Sequence, residues 1–321
     1  MNFIWTDEQL ALGATVRDVL RAHCPPAALR TERRPAWEQL AELGFFGLLA
    51  PQECDGLGLA LTDVLPALEE TGRACLPGPV VDTAIAAPYL VDEVPKLVSG
   101  AVTVAVIPPG QEYAADADLA DLLIVAGPDG LRQVDRASAR LTPVPGADPC
   151  RRLFEVAFDP GESVRLAAAP EPALHRATVA TAAQLIGVAR ELLDASVTYA
   201  RARRQFGTAI GTFQAVKHRL ADVAIDVEFA APLVCRAALS VDRGTSTGER
   251  DVSAAKAAAG EAACAAARAA LQVHGAIGYT EELDLRFWLA RAWSLSAAYG
   301  TSAEHRRGVR DHLTRDLRRY P

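Results

Sequence analysis

A chain of 321 residues, half of them apolar, is long enough to bury a sizeable core in two or three structural layers. Its formal net charge of −7 argues against a nucleic-acid binder, and no apolar run approaches the roughly 18–20 residues of a membrane span. The start MNFIWTDEQL lacks the basic head and apolar centre of a secretory signal, and six scattered cysteines without a CxxC pair suit a reduced cytoplasm better than a disulfide framework or a zinc site.

Thr6 followed by Gln9 predicts a capping box and a helix over about 6–23, ending before Pro25-Pro26. PAWEQLAELG predicts a second helix with Pro35 near its first turn and a stop at Gly44. APQECDGLGLA reads as a loop, and TDVLPALEETGRA as a third helix with Pro66 early in it. From about 99 to 165 the texture changes. AVTVAVI, DLLIVAG, GLRQV, ARLTPV and RRLFEVAF are short β-branched or alternating runs divided by Gly, Pro and Asp, which are strand signals at sandwich or barrel spacing. The segment is short for such a domain and predicts a small or reduced barrel. From about 170 the chain is helical again. Phe213, Val216, Leu220, Val223 and Val227 recur at steps of three and four, a stripe for a helix core. SAAKAAAGEAACAAARAALQVHG is so rich in alanine that its helix must approach its neighbours closely. The last stretch, Leu283 to Leu317, alternates apolar patches with arginines, and four long helices in about 150 residues predict an antiparallel bundle. The fold class is α+β, mainly α. A helical domain is expected over 1–98, a reduced β domain over 99–168 and a four-helix bundle over 169–321.

One stretch interrupts two strong helices with a cationic elbow: RARRQFGTAIGTFQAVKHRLADV, residues 201 to 223. Arg201, Arg203 and Arg204 stand just before Phe206 and Gly207. Guanidinium groups suit a pyrophosphate through charge-assisted, often bidentate hydrogen bonds, and glycines let backbone approach a ligand. The plainer alternative is a solvated helix end, since arginines near a helix C-terminus are favoured there by the dipole.

Three motifs in order resemble the acyl-CoA dehydrogenase family over nearly the whole chain. LGFFGLLAPQECDGLGLALTDVLPALEETGRA is similar to the family's Gly-Leu-Pro-Glu-Gly-Gly-x-Gly stretch, with Asp55 at one glycine position. The elbow resembles its Arg-x-x-Phe-Gly turn followed by Phe-Gln. QVHGAIGYTEE resembles its Gln-x-x-Gly-Gly-x-Gly-Tyr turn, with Ala276 in place of the second glycine. The resemblance implies FAD as cofactor, with Arg203 on its pyrophosphate, Gln205, Phe206 and Gln214 lining the nearby flavin dinucleotide surface, and Gln272 and Gly275 at the adenosine and pyrophosphate end. In the family these groups serve the FAD of the neighbouring subunit, so the resemblance also implies that the bundle is a subunit interface. An acyl-CoA substrate and an electron-transfer flavoprotein as acceptor follow from it too.

The chain also departs from the family. The catalytic glutamate usually precedes a Gly-Thr pair, here Gly300-Thr301, and the residue before that pair is Tyr299. Some relatives carry the glutamate on the first bundle helix, a position that falls on Ala177. A phenol with an ordinary pKa near 10 is a poor base at neutral pH. Glu304 and His305 lie nearby. Thr301-x-x-Glu304 is itself a capping box, and His305 reads as a first-turn surface residue. The family's flavin-ring motif in the β segment is missing, no tryptophan occurs between Trp37 and Trp288, and its Arg-Asp pair reads Ala290-Arg291. The combination resembles the short subunits of actinobacterial heterotetrameric acyl-CoA dehydrogenases acting on steroid or sterol side chains. That resemblance implies an α,β-dehydrogenation in which a partner subunit supplies the glutamate. The alternatives are a self-sufficient homo-oligomer with an atypical base and a non-enzymatic helical scaffold.

Overall fold

The computed structural model describes residues 4–127 and 130–317. Helix α1, Asp7–His23, opens on the predicted capping box: Gln9 N donates to Thr6 Oγ1 at 3.2 Å and Thr6 N donates to Gln9 Oε1 at 2.9 Å. Helix α2 spans Trp37–Glu42. Pro35 lies upstream of it, not in its first turn, because Ala36 takes a left-handed conformation (φ 60°) that separates the proline from the helix. Helix α3, Leu61–Arg73, carries Pro66 within it, and α4 is a short Val94–Val98 turn. Between α3 and α4, residues 82–86 form one widened helical turn around Asp82.

Among the described residues, seven strands follow: β1 Val104–Ile107, β2 Tyr113–Ala115, β3 Leu122–Gly127, β4 Gly130–Asp135, β5 Ala139–Val144, β6 Leu153–Phe158 and β7 Val164–Arg165. They form two sheets, ordered β1-β3-β4-β7 and β2-β6-β5, with β1 and β3 parallel. The five predicted strand runs all appear. β2 and β7 were not foreseen, because YAA and VR are too short to show a period. Ala105, Ile107, Leu123, Val134 and Phe154 make a small core of their own between the sheets.

Helices α5 (Pro170–Ala202), α6 (Gln214–Asp242) and α7 (Gly248–His274) are long and pack against one another. The last helical stretch is divided into α8 (Leu285–Ala297) and α9 (Ser302–Leu317) by a bend at 298–301. The N-terminal helices join the same core as α5 to α8. At the α3–α5 crossing a β-carbon on Gly72 would lie 2.0 Å from Gln184 O, and one on Gly187 would lie 2.0 Å from Glu69 O. Only glycine permits that approach. The alanine-rich α7 buries Ala255, Ala259, Ala263, Ala267 and Ala270 as its composition predicts. The apolar stripe of α6 is fully buried from Val223 onward, but Phe213 sits at the N-cap and is 38% exposed.

Candidate functional site

The elbow begins where α5 ends. Arg203 N donates to Tyr199 O at 2.8 Å, and Ile210 N donates to Arg203 O at 2.8 Å, closing the loop on itself. Inside it, Arg204–Gln205 (β8) pairs with Thr208–Ala209 (β9). The two residues between them, Phe206 (φ 52°) and Gly207 (φ 80°), both have positive φ, as a tight hairpin turn requires. A bulky residue rarely adopts this conformation. Phe206 is nevertheless 92% exposed, held only edge-on to Phe213 at 6.3 Å between ring centroids. Arg203, Gln205 and Gln214 are exposed as well. Among the described residues, the Arg203 guanidinium makes no ion pair or hydrogen bond.

The second motif lies at the same end of the bundle. Gln272 is exposed in the last turn of α7, and Gly275 caps that helix at φ 64°, ψ −143°, a backbone shape that glycine alone takes readily. The Tyr199 and His274 rings stack with centroids 4.3 Å apart, which joins the last turn of α5 to the last turn of α7. His274 Nδ1 is 2.8 Å from Ala270 O, and burial pushes its pKa below the usual histidine value. The two substitutions against the family motifs are conformationally benign. Asp55 adopts the left-handed φ of 61° that aspartate tolerates, and Ala276 does not take a positive φ.

Tyr299 occupies a different place, in the bend between α8 and α9, also at positive φ (55°). Its hydroxyl donates a short hydrogen bond to Asp82 Oδ1, and Val106 N donates to Asp82 Oδ2 at 2.8 Å. Burial pushes the Asp82 carboxyl up to about 6, although the bonds from Tyr299 and Val106 pull the other way. Burial, and then the Asp82 charge, push the Tyr299 phenol well above its ordinary value. The remaining cavity beside this pair is about 40 Å³ and is bordered by Asp116, Arg151, Gln184 and Arg291. Arg291, in α8, is buried against Asp148 at 2.5 Å and also donates to Leu76 O at 2.7 Å. Thus a buried ion pair ties α8 to the β layer where the family pattern has an Arg-Asp pair.

The nearby candidates resolve differently from one another. Glu304 makes the predicted capping box: its carboxylate accepts from Thr301 N at 2.7 Å and from Thr301 Oγ1 at 2.8 Å, which holds its pKa down. His305 is not a surface residue. It is half-buried, with Nε2 2.9 Å from Tyr299 O and Nδ1 3.3 Å from Ser253 Oγ, because α9 starts directly over α7. Ala177 is fully buried in the core face of α5. Asp82 escaped the sequence reading. Its one signal was a lone carboxylate inside the apolar run GPVVDTAIAAPYL.

Two family models match: the acyl-CoA dehydrogenase N-terminal domain over residues 6–93 and the C-terminal domain over 168–314. The chain is 32% identical over 306 residues to acyl-CoA dehydrogenase IpdE2 of Mycobacterium tuberculosis, covering 89% of this chain and 91% of that one. It is 31% identical to IpdE2 of Mycolicibacterium smegmatis, over 94% and 97% of the two chains. The chain belongs to the acyl-CoA dehydrogenase family. Its fold matches the ChsE4-ChsE5 complex from Mycobacterium tuberculosis with a TM-score of 0.84 at 22% identity, covering both chains completely. A variant of the Tcur3481-Tcur3483 steroid ACAD superposes with a TM-score of 0.85 at 24% identity, over 97% of this chain and 99% of that chain.

Proposed function

We propose that this chain is the non-catalytic subunit of a hetero-oligomeric, FAD-dependent acyl-CoA dehydrogenase, and that a partner subunit carries the general base. The observation that carries the reading is the Tyr299–Asp82 pair. At the position where the family places its glutamate, this chain has a phenol that donates to a buried carboxylate. A cavity of about 40 Å³ holds roughly three waters. Ligand sites usually measure about 300–1,000 Å³, so the space left here does not suit an acyl chain.

The elbow supports the complementary half of the reading. Arg203, Gln205, Phe206 and Gln214 project outward from one end of the bundle, with Gln272 and Gly275 at that same end. An exposed guanidinium beside two glycine-bearing turns fits a pyrophosphate, so Arg203 would hold that group and Gly275 would let the α7 end approach it. When bound, FAD supplies the hydride acceptor for α,β-dehydrogenation. The residues of this chain bind and orient it, and the proton is taken elsewhere. On α6, Ile225 (52% exposed), Phe229 (75%) and Leu233 (39%) recur every four residues, an apolar face further along the helix that leads from the elbow, which suits a partner helix layer.

The ChsE4-ChsE5 complex supports a second dehydrogenase subunit, and the likeness to the Tcur3481-Tcur3483 steroid ACAD supports a steroid or sterol side-chain thioester as the substrate of the assembly. An electron-transfer flavoprotein is the acceptor we assign. All six cysteines are free, in keeping with work in a reducing cytoplasm, and among the described residues no helix is long and apolar enough to cross a membrane. The test is flavin absorbance of the chain purified alone and after co-expression with its partner dehydrogenase subunit. The reading expects a colourless chain and a yellow complex. A lone chain that holds stoichiometric FAD and is bleached by an acyl-CoA would overturn it.

A further inference from the structure

Lys96, Lys217 and Lys256 are the only lysines among the 33 lysines and arginines of this chain, and Lys256 alone has no exposed surface. It sits in the middle of α7. Among the described residues no carboxylate pairs with it. Its ammonium donates instead to Ser296 O at 3.0 Å and Gly300 O at 2.9 Å. The first acceptor belongs to the last turn of α8, whose carbonyls have no helical partners of their own. The second belongs to the 298–301 bend. Tyr299 lies between them, fastened at its hydroxyl by Asp82 and at its carbonyl by His305. Gly300, at φ 102°, has no room for a β-carbon, which would lie 2.8 Å from His305 Nε2. The bend is held from outside it at several points, and the deepest of them is the Lys256 Nζ.

We propose that Lys256 is the positioning residue of the 298–301 strap, and that the strap is thereby a proton-sensitive closure over the small pocket of this chain. The inference stands on the strap alone and is independent of whether a partner supplies the base. In the closed strap the ammonium has lost its water, so the neutral amine is favoured. Burial accordingly lowers the Lys256 pKa from 10.5 to about 7. Opening the strap returns water to Nζ and restores its ordinary hold on a proton. The open form therefore binds the proton more tightly, and acidification between those two values shifts the balance toward opening, by up to about tenfold per pH unit.

Other charged groups face the same amine. Arg151, from the β layer, disfavours its charge, while Cys264 on α7 and Glu304 on α9 favour it. His305 on α9 is itself pushed below its usual value by burial, so its protonation adds to opening in more acid solution. Asp82, raised by burial, acts in the opposite sense but has finished titrating above about 6. Between pH 7 and pH 10 Lys256 is left to govern the strap.

Two measurements on the full chain test this. The first is a pH titration by NMR of the chain labelled with ¹³Cε-lysine, in which three signals are expected. One of them, that of Lys256, should titrate near neutrality. Three signals titrating together at the ordinary value would overturn the proposal. The second is hydrogen exchange of the segment 296–302 at pH 7, 8 and 9.5, corrected for intrinsic exchange. Protection in the native chain should rise by up to tenfold per unit, and Lys256→Met, which keeps the stem but has no donor, should show a flat profile. A flat native profile, or the same slope in both proteins, would equally sink it.

Discussion

Tyr199 stacks on His274 with ring centroids 4.3 Å apart, and that contact fastens the end of α5 to the end of α7. Arg203 follows Tyr199 by one helical turn, and Gly275 follows His274 directly. The two turns that face outward at this end are therefore held in register before any ligand arrives. Side-chain replacements within either turn should report on lost contacts to a ligand rather than on loss of the turn itself.

Arg203→Ala removes an exposed guanidinium with no partner among the described residues. In the assembled complex the charge-assisted contact it would make is worth about 1.5–3 kcal/mol. FAD affinity should fall roughly ten- to hundredfold, since 1.4 kcal/mol is a factor of ten. Fluorescence titration of FAD into the stripped complex measures this. Unchanged affinity would remove Arg203 from the cofactor site.

Tyr299→Phe deletes the hydroxyl that donates to Asp82 and leaves the ring in place. In the reconstituted complex, flavin bleaching by a steroid side-chain CoA thioester should proceed at a near-normal rate in a single turnover. Replacing the glutamate of the partner chain should abolish it. A hundredfold fall in the Tyr299→Phe complex, with FAD still bound, would instead make this phenol a participant in the chemistry.

Asp82 gives the fold a signature in pH. Its carboxyl is raised from an ordinary 3.8 to about 6, chiefly by burial. A group with a raised folded pKa contributes stability that is complete below its unfolded value and disappears as pH rises through the folded one. The two values differ by about 3 kcal/mol in linkage terms, present near pH 4 and gone above pH 6. The difference in urea stability between the native chain and Asp82→Asn should change by that order between pH 4 and pH 7 and be level beyond. A constant difference would show that Asp82 titrates normally.

Asp148→Ala strands Arg291 in the core with its carbonyl contacts but no counter-charge. Breaking a buried pair from one side typically costs about 3–5 kcal/mol. The urea midpoint should drop accordingly, and the double replacement Asp148→Ala with Arg291→Met should recover much of the loss. No recovery would mean that the pair matters for its shape more than for its charge.

How much of this was legible in the sequence depended on the range of each interaction. The capping boxes at Thr6–Gln9 and Thr301–Glu304 span three residues and are visible as spelling. The β3 run LLIVAG announced itself through its β-branched residues, whereas β2 had no comparable signal. The elbow could be read as a motif, because Phe206 and Gly207 sit in a turn that local sequence defines. The position of Tyr299 could be counted from Gly300-Thr301, but its partner could not, since Asp82 lies 217 residues away in the chain. His305 looked like a surface residue because nothing near it in sequence shows that α7 passes beneath. Lys256 was hidden by the same geometry, one of several polar letters in an alanine-rich helix. The exposure of Phe213 contradicts the stripe drawn through it, because a period cannot tell that a helix begins one residue later.

Phe206 bears on how the cell must handle this polypeptide. An aromatic ring is left 92% in solvent on a backbone twist that disfavours it, and the same chain also exposes Phe229 and Ile225 on α6. Such a surface is adhesive until something covers it. Chains left uncovered would find one another, or a chaperone, first. The soluble yield of the lone protein should therefore track how much of the proposed partner is made beside it.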